Sequence, residues 1–166
     1  MAERPAAWDL VLRSALWLTL GGWIGAWLLF GAVVAPTAFR VLPSTEVAGS
    51  LVTPILAVLH LYGAAAGPLL ALLAVALGRG PLLVALPLIM SALCLYSHFG
   101  VSAELSEIRD HAFGPVGALE FAARFTRLHR ISLGLFMGIA SAAVLLLVLH
   151  TRADIAARRR KTERNS

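Results

Sequence analysis

The sequence predicts an all-α fold, an integral membrane four-helix bundle, and three observations predict it. Hydrophobic residues make up 59% of its 166 positions and charged residues only 14%, where an ordinary soluble domain carries about 25% charged residues. Four stretches free of Asp, Glu, Lys and Arg are each long enough to cross a hydrocarbon core about 30 Å thick. The polar chain between the third and fourth keeps a helical spacing of its apolar residues, so helix continues outside the lipid. A chain of this length has room for one domain, read as residues 1–152 followed by a basic tail, 153–166.

The first stretch runs from Ser14 to Pro36. At about 23 residues it is too long for the apolar region of a signal peptide, and Pro36 directly after Ala35 disfavours cleavage there, so it is read as a retained span. The second, Leu51 to Gly78, contains one ionisable residue, His60. Gly78-Arg79-Gly80-Pro81 then makes a tight turn into the third, Pro81 to Phe99. The fourth runs from Ile131 to Leu149. Lys and Arg fall unevenly on the two sides of these spans. The side of the termini and the Arg79 turn carries Arg4, Arg13, Arg79, Arg152, Arg158, Arg159, Arg160, Lys161 and Arg164; the other carries Arg40, Arg109, Arg124, Arg127 and Arg130. Positive residues stay inside, so both termini are expected in the cytoplasm of a multi-pass protein of the bacterial inner membrane.

Beyond Phe99, Val101, Leu105 and Ile108 recur at helical spacing with Glu104, Glu107, Arg109 and Asp110 between them. The third helix is therefore expected to continue to about His111. Gly114-Pro115 breaks it, and Pro115 suits the first turn of the next helix. Val116, Leu119 and Ala123 give a matching stripe, with Glu120 and Arg124 as a supporting pair four apart. Residues 100–130 then form an antiparallel hairpin outside the membrane, Leu105 and Ile108 packing on Val116 and Leu119. A turn centred on Phe113 puts His98 level with His129 and Met90 level with Met137. Counted from the Gly78 turn, His60 reaches nearly the same depth.

An ionisable residue inside a span is costly and normally faces the bundle interior with a partner. Neutral imidazole, thioether and thiolate suit copper or haem iron, which makes His60, His98, His129, Met90 and Cys94 the candidate ligand set for a soft metal or haem. The alternative is structural: His98 and His129 at the membrane interface, His60 bonded to a neighbouring carbonyl, Met90 and Cys94 simply packing. No HxxxH, CxxC or HExxH spacing is present. Gly21 and Gly25, Gly63 and Gly67, and Gly134 and Gly138 each have the small-xxx-small spacing of helix contacts. They leave open a non-catalytic accessory role, bound to other membrane subunits or a second copy.

The remaining charge reads as membrane contact. Arg158, Arg159, Arg160 and Lys161 form a polybasic run just past the last span, suited to anionic lipid headgroups. Nucleic acid is not the expected partner, because no aromatic residue is interleaved with these charges. Arg40, at the outer end of the first helix, either snorkels to headgroups or pairs with Glu46 or Glu104. Ser91, Ser97 and Ser132 have no base and carboxylate arranged around them, and no glycine loop is built to cradle phosphate, so no enzyme activity is read from the sequence.

Several landmarks together resemble the transmembrane protein 205-like family. They are Trp23-x-Gly25 with Phe30-Gly31, Val34-Ala35-Pro36-Thr37-Ala38-Phe39, Ala48-Gly49 at the start of the second helix, and Leu128-His129 with Ser132 opening the last. The likeness runs from Trp23 to Leu149. It implies a four-helix membrane domain of uncharacterised function and places His129 on a family motif. A more distant similarity of architecture to copper-resistance D proteins and to membrane protoporphyrinogen oxidases of the haem-associated type implies a metal or haem role by analogy.

Overall fold

The computed structural model describes residues 6–112 and 118–165, and all of its regular structure is helical. Four rods stand side by side. The first is α1 (Ala6–Leu29), a π-helical turn (Phe30–Val34) and α2 (Ala35–Val41); the second is α3 (Thr45–Ala76). The third is α4 (Pro81–Tyr96), a second π-helical turn (Ser97–Ser102) and α5 (Ala103–Ala112); the fourth is α6 (Ala118–Asn165). Each rod contains a helix long and apolar enough to cross a membrane. Each also packs on its two neighbours, closing a ring in the order first, second, third, fourth.

Local chemistry sets the ends and the irregularities. Ser44 caps α3, its hydroxyl accepting from the Val47 N–H at 3.2 Å, with Glu46 in the first turn against the positive helix end. At the other end of α3, Gly78 adopts φ +64°. Its N–H donates to the Val75 carbonyl while that of Arg79 donates to Ala74, the paired bonds that satisfy a helix end around a left-handed residue. Pro81 opens α4, where its missing N–H costs nothing. The first π-turn has a cause two residues on. Pro36 has no N–H to donate and its ring crowds the carbonyl four residues back, so the preceding turn widens and the Ala35 N–H reaches the Phe30 carbonyl. The second π-turn contains Gly100 and no proline.

Polar flanks prolong the helices beyond their apolar stretches everywhere except at the Gly78–Pro81 turn, where α3 stops at Ala76 and α4 starts at Pro81. α3 starts at Thr45, ahead of the stretch read from Leu51, and the first rod continues through Pro36 to Val41. The extension of the third helix is present as α5, with Val101 and Ile108 buried. Its register against α6 is marked by the Arg124–Glu104 ion pair, in which Nε donates at 2.9 Å. The expected packing of Leu105 and Ile108 on Val116 and Leu119, the Gly114-Pro115 break and the Glu120–Arg124 pair lie outside the described residues.

The interior is a seam of residues alternating three and four apart, as in left-handed bundles. α1 supplies Leu16, Leu20, Trp23, Trp27 and then Phe30; α4 supplies Leu83, Pro87, Met90, Cys94 and then Ser97; α6 supplies Ile139, Ala143, Leu146 and His150. The large side chains on the outside, among them Leu18, Leu72 and Val75, are what lipid covers. At the end that carries the termini, Arg13 and Arg79 both donate to Oδ1 of Asp154, joining the first rod, the α3–α4 turn and α6. Arg13 also donates to Asp9 at 2.7 Å.

Candidate functional site

The hairpin half of the bundle holds most of the features that depart from simple packing. His60 sits on the α3 seam, 1% exposed, with neither ring nitrogen bonded to a partner. The Trp27 ring meets it in a T-shaped contact at a centroid distance of 5.8 Å. The register of α3 against α4 is fixed one turn deeper, where glycine lets the backbones close. A Cβ on Gly63 would lie 2.7 Å from Cys94 Sγ, and one on Gly67 would lie 2.4 Å from the Pro87 carbonyl oxygen. The Ser91 hydroxyl donates to the Ala64 carbonyl across the same contact at 2.7 Å. One turn toward the hairpin, this register sets Ser97 and His98 opposite His60. Ser97 is fully buried and its hydroxyl has no partner; His98 is half-buried, its Nδ1 is unpartnered, and it is near enough to His60 to act on it electrostatically.

On the other side of Trp27 lies a groove of about 640 Å³ bounded by the first rod, the first half of α3, α5 and α6. Its deep wall is apolar: Trp27, Leu56, Phe136, Met137 and Ala140. Phe136 stacks on Trp27 at 4.5 Å and leans on Phe30 at 5.7 Å. The mouth, toward the hairpin, is polar, with Glu46, Ser102, Ser106 and His129. A volume of this size suits a drug-sized or single-chain lipophilic molecule, and a mostly apolar wall with a few polar groups is the usual make-up of such a site.

The candidate ligands thus separate by rotation around their helices. His60 lies in the interior, and His98, half-buried, is near enough to act on it electrostatically. His129 lines the groove, exposed and stacked parallel on Phe125 at 6.3 Å. Met90 and Cys94 belong to the hydrophobic core, whereas Met137, level with Met90 in the hairpin register, is 56% exposed and lines the groove. Among the described residues no three His, Cys, Asp or Glu side chains come together in a group able to hold a metal ion. Arg40 is exposed at the end of α2, while Glu104, one of its two expected partners, is engaged by Arg124.

Sequence reasoning missed Trp27, Ser97 and His150. The signal was present, since all three fall on the three-four seam once it is extended beyond its apolar members. His150 is 0% exposed, its ring nitrogens unpartnered, edge-on to Trp17 at 6.4 Å. The groove itself was invisible, because it arises between four rods.

Residues 18–113 match the model of a family described as Domain of unknown function (DUF4149). No curated protein and no solved structure matches the chain.

Proposed function

The chain belongs to the DUF4149 family, and we propose that it binds a lipophilic small molecule within the membrane, in the groove beside Trp27. The observation that carries this reading is the groove: about 640 Å³, apolar in depth and polar at its mouth. A second observation supports it. The landmarks behind the transmembrane protein 205-like resemblance come from separate helices, yet Phe30, Gly31, Phe39, Gly49, His129 and Ser132 all line this one groove. Oriented by the distribution of Lys and Arg, the mouth faces the outer side of the membrane. On the opposite side the basic run reaches anionic headgroups: Arg158 to Arg160 lie four to six residues past Asp154 on α6, about 6–9 Å further along the helix, the depth of a headgroup layer.

Photolabelling tests the proposal. The full chain in lipid nanodiscs is exposed to a hydrocarbon probe carrying a diazirine, and the cross-linked peptides are mapped. Labels are expected on the segments of Leu56 and Phe136–Met137. In Gly49→Trp, where the new side chain enters the groove from a position with open space at its Cβ, they fall by at least about tenfold. Gly25→Trp, equally open but outside the groove, leaves them unchanged. Label spread evenly over lipid-facing residues and indifferent to Gly49→Trp contradicts the reading.

A soft metal or haem at His60 and His98 takes second place, because it needs ligands beyond that pair; copper or a Soret band in the purified protein restores it. The accessory-subunit reading draws on Gly21, Gly25, Gly134 and Gly138, which are exposed with nothing within 4 Å of a Cβ. Such small-residue faces suit close approach of another membrane helix. Stoichiometric co-purification of a second membrane protein supports it.

A further inference from the structure

We infer that the occupant of the groove is an uncharged lipophile whose head carries carbonyl oxygens, and that Trp27, His60, Ser97 and His98 receive that head. The inference rests on the groove reading and names its ligand class. Buried polar atoms in a folded protein nearly always have partners, and inside a bilayer an unpaired one is more costly still. Here the Trp27 Nε1, both nitrogens of His60, the Ser97 hydroxyl and His98 Nδ1 are buried at one level of the bundle and have none. The indole of Trp23, one turn deeper, is in the same state.

The chemistry of the missing partner follows from what these groups offer. An indole N–H only donates; a neutral imidazole donates from one nitrogen and accepts at the other; a hydroxyl does either. Donors are therefore in excess, and the absent partner is an acceptor. Its charge follows from the neighbours. Among the described residues the polar residues buried whole are His60, Ser91, Ser97, Ser132 and His150, none carrying a fixed charge, and the buried Arg79 side chain is paired with Asp154 at the opposite end of the bundle. An anion buried at the level of His60 finds no buried Lys or Arg to balance it and a cation no buried carboxylate, and either is expensive in this environment. Neutral carbonyl oxygens meet both conditions.

The path from groove to cluster is short. Trp27 belongs to both, lining the groove and packing its ring against that of His60. The π-turn Ser97–Ser102 also spans the two, with Ser97 in the cluster and Ser102 on the groove wall.

The test uses the full chain in nanodiscs of ether-linked phosphatidylcholine, a host lipid without carbonyls. Two competitors displace the diazirine hydrocarbon from the groove: a fully substituted decyl-benzoquinone, and a decyl arene of the same ring size lacking the carbonyls. The quinone is expected to reach half-displacement at about three- to tenfold lower concentration, the worth of one or two neutral hydrogen bonds. Ser97→Ala removes the hydroxyl and shrinks the quinone's advantage while the arene's potency stays put; Trp27→Phe removes the N–H from a residue that also lines the groove, so it is read as the ratio of the two potencies, which falls. Equal potency of the two competitors in the unmodified protein, or an advantage that survives both substitutions and His60→Phe, overturns the inference and leaves the groove reading standing. Failure of both competitors to displace the label overturns the groove reading itself. Repeating the displacement in ester-linked lipid identifies the source: an advantage abolished there assigns the site to the bilayer's own ester carbonyls.

Discussion

Gly67 and Gly25 look alike in the sequence, each half of a pair four residues apart, yet their neighbours differ completely. A methyl on Gly67 would meet the Pro87 carbonyl oxygen at 2.4 Å and Ser91 Cβ at 2.6 Å, while one on Gly25 meets nothing within 4 Å. Backbone cannot step aside as a long side chain can. Gly67→Ala is therefore expected to destabilise the bundle by about 1–3 kcal/mol, and Gly25→Ala to stay within about 0.5 kcal/mol, both read from thermal unfolding in detergent. Spacing cannot separate the two residues, because it fixes neither what faces a glycine nor how near. The histidines teach the same lesson. Helix rise alone sets an expected depth for each histidine but no rotation, and it is rotation that turns His60 to the interior and His129 to the groove.

At the scale of elements, the spans and the continuation of the third helix as α5 were legible, since they follow from uninterrupted apolar runs and from Val101, Leu105 and Ile108 at helical spacing. The π-turns were not, because Pro36 predicts a disturbance without saying whether the helix stops or widens; it widens and runs on to Val41. Nor was the ionic clasp at the other end. Asp154 looks like one more charge in a polar tail, but α6 carries it back against Arg13 and Arg79, whose side chain is only 5% exposed. Removing one partner of a buried pair leaves an uncompensated charge, which costs far more than losing an exposed pair. Asp154→Asn is expected to destabilise by about 3 kcal/mol, and Asp9→Ala by no more than about 1 kcal/mol. Equal effects in the same thermal assay would show that the clasp does not hold the rods together.

For the whole molecule, four antiparallel rods put the basic termini on one side and the hairpin on the other. Nine Lys and Arg on the terminal side against five on the hairpin side predict an orientation with both termini in the cytoplasm. A reporter fused after Ser166 is expected to be active in the cytoplasm and one inserted at Gly114 to be active outside; the opposite pattern reverses the side on which the groove opens. Within that frame the two halves of the bundle differ in closure, although His150 in the terminal half is also buried without partners. Its terminal half is closed by the clasp and by Leu16, Leu20, Leu70 and Leu146, and its hairpin half opens into a groove beside unpartnered polar atoms. Native mass spectrometry of the full chain, extracted gently from its own membrane, reads the content of that groove directly. One lipophilic molecule per chain is expected, retained in Gly25→Trp and lost in Gly49→Trp. A chain that carries no such molecule, or the same complement of lipids in both variants, contradicts the account.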